Sequence, residues 1–186
     1  MNDFVDKHSI QDGYISAIDE KSSGNPLYVE LLCRSLQNEE LTLNDISQLP
    51  DEISTFYEGI MKHLTELNTG KEPLDFLCVL AVARDFLTEA TVSSLLGVSL
   101  IEVQSVIKIS SGILYENQNS DGVFCYQLFH ESFRDFLYKK YEMEIIRMED
   151  RLLDVMRNWQ DMREKNGDLD MMRYAASYYV RHLKAK

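Results

Sequence analysis

Histidine and cysteine are the residues of this 186-residue chain best suited to acid–base, nucleophilic or metal chemistry, and it holds 4 of the first and 3 of the second. Cys33, Cys78 and Cys125 lie far apart and form no CxxC, so they offer neither a disulfide framework nor a zinc site. They read as reduced, mostly buried thiols. Glu131 follows His130, but Ser132-Phe133-Arg134 comes next, and the second histidine of a zinc-protease helix is absent. A Cys125–His130 nucleophile pair is conceivable, yet the sequence supplies no third group to orient it. His8, His63 and His182 are scattered. No GxxxxGK[ST], GxGxxG or GxSxG string occurs, so the chain by itself is not expected to be an enzyme.

Two strings hold more chemistry. Ser22-Ser23-Gly24-Asn25-Pro26-Leu27-Tyr28 opens a helix, with Asn25 as N-cap and Pro26 at the first helical position. There Pro26 offers a flat apolar face with no N–H to leave unsatisfied, and Gly24 allows close approach to the backbone. Leu128-Phe129-His130-Glu131-Ser132-Phe133-Arg134-Asp135-Phe136-Leu137 sets an imidazole where another helix begins. Free N–H groups and the helix dipole favour an anion at such a place, and the imidazole adds a donor. A capping or core role is the plainer reading of both strings.

The elements that must hold these residues are mostly helical. Punctuation falls at Ser22–Pro26, Leu49–Pro50, Thr69–Pro73, Asn117–Gly122 and Asn166–Gly167. A first helix over about 8–20 carries Ile10, Tyr14, Ile15 and Ile18. The helix after Pro26 carries Leu27, Leu31, Leu32 and Leu36, and one opening at Leu49-Pro50-Asp51 carries Ile53, Phe56, Ile60, Leu64 and Leu67. A short apolar helix spans about 73–84, and Thr88 starts another that Gly97 ends. Ser99 caps a third, to Ile109. Ile113–Tyr115 and Val123–Leu128 are predicted strands around a turn at 117–122. Helices followed by a hairpin are the order of a winged helix, with the hairpin as its wing. Helices over about 130–141, 143–164 and 168–184 follow. The penultimate one sets Ile145, Met148, Leu152, Met156 and Trp159 on one face. The last is apolar on two sides: Leu169, Met172, Ala176, Tyr179, Val180 and Leu183 on one, Met171, Tyr174, Ala175 and Tyr178 on the other. Both sides need neighbours, and the set spanning 171–178 is read as the one left without a partner. The fold class is therefore mainly α: a helical subdomain over 1–48, a winged-helix domain over 49–141, and a helical pair over 142–186.

In this order the strings resemble the regulatory half of the STAND-class signalling ATPases, the NACHT and apoptosome-like proteins. Gly24-Asn25-Pro26 is similar to their GxP motif, which starts a helix of the lid subdomain and places its proline on the adenine ring. The string around His130 is similar to their Met-His-Asp motif, which sets a histidine near the β-phosphate of ADP. Phe129 stands here for the Met and Glu131 for the Asp. Arg173-Tyr174-Ala175-Ala176-Ser177-Tyr178-Tyr179-Val180-Arg181-His182-Leu183 resembles the arm that precedes their WD or helical repeats. The resemblance covers nearly the whole chain and rests on the ordered set. It implies Gly24, Asn25 and Pro26 on the adenine side and His130 on the phosphate side. It implies a P-loop domain elsewhere in the same polypeptide, which would bind ATP or ADP with Mg²⁺, while this chain needs no cofactor of its own. It further implies protein partners bound through downstream repeats, a cytoplasmic setting, and a switch from a closed ADP form to an oligomerising ATP form.

Charge bears on the alternatives. The net charge is −12. Residues 1–129 hold 7 Lys and Arg against 20 Asp and Glu, whereas 130–186 are nearly balanced, with 12 against 11. A winged helix that read DNA would need phosphate contacts, yet Ser99–Ile109 offers Glu102, Gln104 and a single Lys108, and the hairpin offers no Lys or Arg. Nucleic acid is not an expected partner. A free-standing helical adaptor, docking proteins through its acidic face and last helix, is the remaining alternative. No run of 18 apolar residues is present, so no membrane span is expected.

Overall fold

The computed structural model describes residues 15–16, 18–22, 25–37, 53–67, 72–158 and 169–185. Contacts gather into two compact units, Met1–His63 and Leu64–Lys186. In the first, residues 18–22 are helical, and helix α1 (Pro26–Gln37) and most of helix α2 (Ile53–Leu67) follow. Leu31 and Leu32 are buried as their spacing requires, and Tyr28 joins them, its ring 5.2 Å from that of Phe56. The inner stripe of α2 is turned slightly from the predicted one. Phe56, Tyr57 and Met61 are buried, while Ile53 and Ile60 are half-buried, because the two aromatic rings fill more of the seam than the isoleucines. Ile10, Tyr14, Leu49 and Pro50 lie outside the described residues.

The second unit is built around α3 (Glu72–Val82). Phe76, Leu77, Cys78, Val79, Leu80, Ala81 and Val82 are all buried, so this helix has no solvent face over its last two turns. A helix apolar all round must lie in the middle of a fold. Neighbours are supplied in chain order by β1 (Leu87–Thr88), α4 (Glu89–Leu96), α5 (Leu100–Ile109), β2 (Leu114–Gln118), β3 (Phe124–Leu128), α6 (Glu131–Lys140) and α7 (Glu142–Arg157). Helix α8 (Leu169–Ala185) packs on α7.

Local chemistry explains where these elements start and stop. The Thr88 hydroxyl accepts from the Thr91 amide at 3.3 Å, and Gly97 ends α4 in the left-handed region at φ 69°. Ser99 and Glu102 form a full capping box: the Glu102 amide reaches Ser99 Oγ at 3.3 Å, and the Ser99 amide reaches Glu102 Oε2 at 2.7 Å. Three antiparallel strands run in the order β1-β3-β2, with Leu87 opposite Tyr126 and Leu114 opposite Leu128. Helix, strand, two helices and a hairpin closing on the first strand make a winged helix.

Several expectations change. Strand β1 has two residues, too few to show any period, and exists because β3 has a free edge there. Ile113 belongs to a 3₁₀ turn, Ser111–Ile113, and β2 begins only at Leu114. Asn117 and Gln118 are strand rather than turn, since the ladder continues to the Gln118–Phe124 pair. Asn119 then makes the turn, its Oδ1 accepting from the amides of Asp121 and Val123, both at 3.0 Å. Finally, α8 is packed through Met171, Tyr174 and Ala175, the side read as unpartnered. Leu169, Val180 and Leu183 are exposed. The packed side is the one whose hydroxyls reach polar atoms of Arg84 and Asp85, just past the end of α3. Trp159 lies outside the described residues. No single helix among them is long and apolar enough to cross a membrane.

Candidate functional site

Asn25 and Pro26 form the start of α1. The Asn25 side-chain oxygen accepts from the amides of Leu27 at 3.1 Å and Tyr28 at 3.4 Å, satisfying two donors that the first turn leaves open. Its own amide donates to the Ser22 carbonyl at 2.8 Å, which fixes the turn entering the helix. Pro26 stands at the first helical position and is exposed, with its ring available to a flat apolar partner. Gly24 lies outside the described residues. Asn25→Ala is expected to cost about 1 kcal/mol, the usual worth of an N-cap. A urea titration followed by far-UV circular dichroism measures it, and an unchanged midpoint would show that the cap is dispensable.

His130 begins α6, in the second unit, so the two nominated strings lie in different units. β3 delivers the chain to this point, and the Phe129 amide donates to the Ile113 carbonyl at 2.9 Å, tying the strand end down. His130 is extended at φ −145°, and its Nδ1 accepts from the Ser132 amide at 3.1 Å. With Nδ1 occupied as acceptor, the neutral ring carries its proton on Nε2. The residue is exposed, so an imidazole N–H donor is presented at the positive end of a helix dipole. Glu131 is engaged by Arg134 at 2.7 Å. Phe133 is buried one turn further on and stacks on Phe136, which anchors the helix that carries the histidine.

Cys125 is unsuited to act as a nucleophile. Its side chain is buried and contacts the Asn117 carbonyl at 3.5 Å, and burial, with Asp85 and Asp170 nearby, pushes the thiol above its ordinary pKa. A reactive thiol needs the opposite shift. No group of three or more possible metal ligands comes together among the described residues.

The second unit also contains an arrangement that no motif announced. An open cleft of about 280 Å³ lies between the hairpin and α8. Cys125 and Thr88 form its floor, and α8 contributes Asp170, Arg173, Tyr174 and Tyr178 to its wall. Polar contacts ring it. Arg173 reaches Asp121 at the hairpin tip at 2.7 Å, Asn119 reaches Asp170 at 3.5 Å, and the Tyr178 hydroxyl donates to Asp85 at 2.7 Å. Deeper in, the Tyr174 hydroxyl accepts from the Arg84 amide at 2.8 Å and pairs with His182 Nε2 at 2.9 Å. His182 is fully buried, and burial, with the Arg84 charge close by, pulls its pKa down to about 4. The signal in the sequence was the polar residues on the inner side of an apolar helix, and only the fold shows where they point.

Comparison with protein-family models, curated proteins and solved structures found no match to this chain.

Proposed function

We propose that this chain is the regulatory, nucleotide-sensing part of a STAND-type signalling ATPase, working with a P-loop domain of the same polypeptide that holds ATP or ADP with Mg²⁺. The observation that carries the reading is His130: an exposed imidazole whose Nδ1 is used by its own helix, leaving an Nε2–H donor at a helix N-terminus. A donor so placed suits a phosphate oxygen. Its place directly after the hairpin of a winged helix agrees with the resemblance to the Met-His-Asp motif. On the base side, Pro26 offers its ring at the start of a capped helix, the role the GxP resemblance assigns. The nucleotide state would bias a two-state movement of the winged helix, ADP favouring the closed, silent form and ATP the oligomerising one. The cytoplasmic setting and the partners bound through downstream repeats belong to this reading.

The test uses His130→Asn and His130→Ala in the protein that includes the P-loop domain. Asparagine is as good an N-cap as any residue, so the helix survives while the Nε2 donor is lost. A hydrogen bond to a charged group is worth about 1.5–3 kcal/mol, which predicts ADP release at least about tenfold faster in both variants. Stopped-flow release of a fluorescent ADP measures it. ADP release unchanged in His130→Asn removes the sensor role.

A DNA-reading winged helix has little support. The exposed residues at the start of α5 are Leu100, Ile101 and Glu102, and β2 exposes Tyr115, Glu116, Asn117 and Gln118. The adaptor reading is favoured by one observation, the exposed Leu169, Val180 and Leu183 on α8. Full signalling by this chain in cells, in the absence of any P-loop domain, would put the adaptor ahead.

A further inference from the structure

The seam between α8 and the hairpin is unlike the rest of the second unit. Elsewhere side chains interlock, as around α3. Here a cleft separates the two elements, and polar contacts span its rim. Arg173 and Asp121 are both well exposed, so their pair is screened by salt and weakly held. Tyr178 to Asp85 is a single hydrogen bond at the surface. The main packing of α8 is against α7, and on the hairpin side it is fastened by these polar contacts, so that side opens at a lower free energy than the core it rests on.

The geometry points to α8 being a releasable strap: it clasps the hairpin tip through Arg173–Asp121 and the link between α3 and β1 through Tyr178–Asp85, and it lifts away from both while the winged helix beneath stays folded. The inference stands independently of any nucleotide. It gives the chain a conformational device in which α8 can exist clasped or free, with its equilibrium set by charge at the hairpin tip. Lifting uncovers Cys125, now only 5% exposed on the cleft floor.

The three cysteines report on it directly. Cys33 is exposed in the other unit, Cys125 lies under the strap, and Cys78 is sealed in α3 at 0% exposure. Labelling the whole chain with a bulky maleimide, read by peptide mass spectrometry over time, therefore separates ready access, strap opening and global unfolding. The expected order is Cys33 first, then Cys125, then Cys78. Arg173→Ala and Asp121→Asn are each expected to speed Cys125 about two- to fivefold, the range of an exposed pair, with Cys78 unchanged. The double variant is expected to be no faster than the faster single, since both remove one contact. Tyr178→Phe is expected to speed it as well, through the second clasp point. Raising NaCl from about 0.05 to 0.5 M should speed Cys125 in the parent chain and much less in Arg173→Ala. Labelling of Cys125 that tracks Cys78 in every variant, or that ignores both the substitutions and salt, overturns the strap.

Discussion

Phe76→Ala is expected to lower the stability of the Leu64–Lys186 unit by about 3–5 kcal/mol, the largest effect of any single truncation considered for this chain. The residue is 1% exposed and lies in the middle of the helix against which α4, α5, β3, α6 and α7 all pack. Removing the ring leaves a void that a close-packed core does not refill without moving side chains out of their rotamers. Since a domain of this size is held by only about 5–15 kcal/mol in all, a substantial unfolded fraction should appear at physiological temperature. Urea unfolding followed by far-UV circular dichroism gives the number, as a midpoint shift with the slope unchanged. Ile101→Ala is the control. That residue is 75% exposed, and its truncation is expected to fall within about 0.5 kcal/mol. A Phe76→Ala loss below about 1 kcal/mol would mean that α3 is not the centre of the fold. The prediction bears on function too, because α6 and its His130 are held in place by packing on this same core.

What could be seen in the sequence beforehand follows the range of the interactions involved. Caps are local, so Asn25, Thr88, Ser99 and Gly97 announced their helix ends, and each forms the contact its type allows. The hairpin was visible because alternation in Phe124–Leu128 and the Asn-rich turn lie within a dozen residues of each other. Strand β1 was not, because two residues have no period and its existence depends on a partner more than 35 residues later in the chain. The face of α8 that packs was equally hidden. Both sides are apolar, and the choice is made by Tyr174 and Tyr178 meeting Arg84 and Asp85, across 90 and 93 residues. The same distance hid the cleft. For His130, the sequence showed a histidine at a helix start and could not say which ring nitrogen the helix would consume. The fold assigns that job to Nδ1, and the ligand question thereby narrows to Nε2.

A loss of about 2 kcal/mol of stability on going from pH 7.5 to pH 5 is the second large effect expected, and it belongs to His182. The side chain is fully buried, its Nε2 faces the Tyr174 hydroxyl, and its Nδ1 has no hydrogen-bond partner among the described residues. The Arg84 amide donates to that hydroxyl, and Nε2 is the acceptor that faces the hydroxyl's own proton, which leaves the neutral ring with its proton on Nδ1. Adding a proton would turn Nε2 into a second donor facing the hydroxyl and place a charge in an apolar site beside Arg84. Hence the folded pKa of about 4, against about 6.5 in the unfolded chain. The sign follows from proton counting: between those two values the unfolded chain binds a proton that the folded chain refuses, so stability is complete above pH 6.5 and falls as pH drops toward 4. In the interval from 7.5 to 5 ordinary carboxylates stay ionised, and His182→Asn subtracts whatever the other three histidines contribute. Urea midpoints across this range should fall for the parent chain and stay nearly level for His182→Asn, whatever the starting stability of that variant. A ring resonance of His182 that titrates near pH 6.5 in the folded protein would refute the account. The consequence reaches the strap, because His182 is the last inward residue of α8. Acid should therefore loosen that helix first, and Cys125 should become accessible at a higher pH than Cys78.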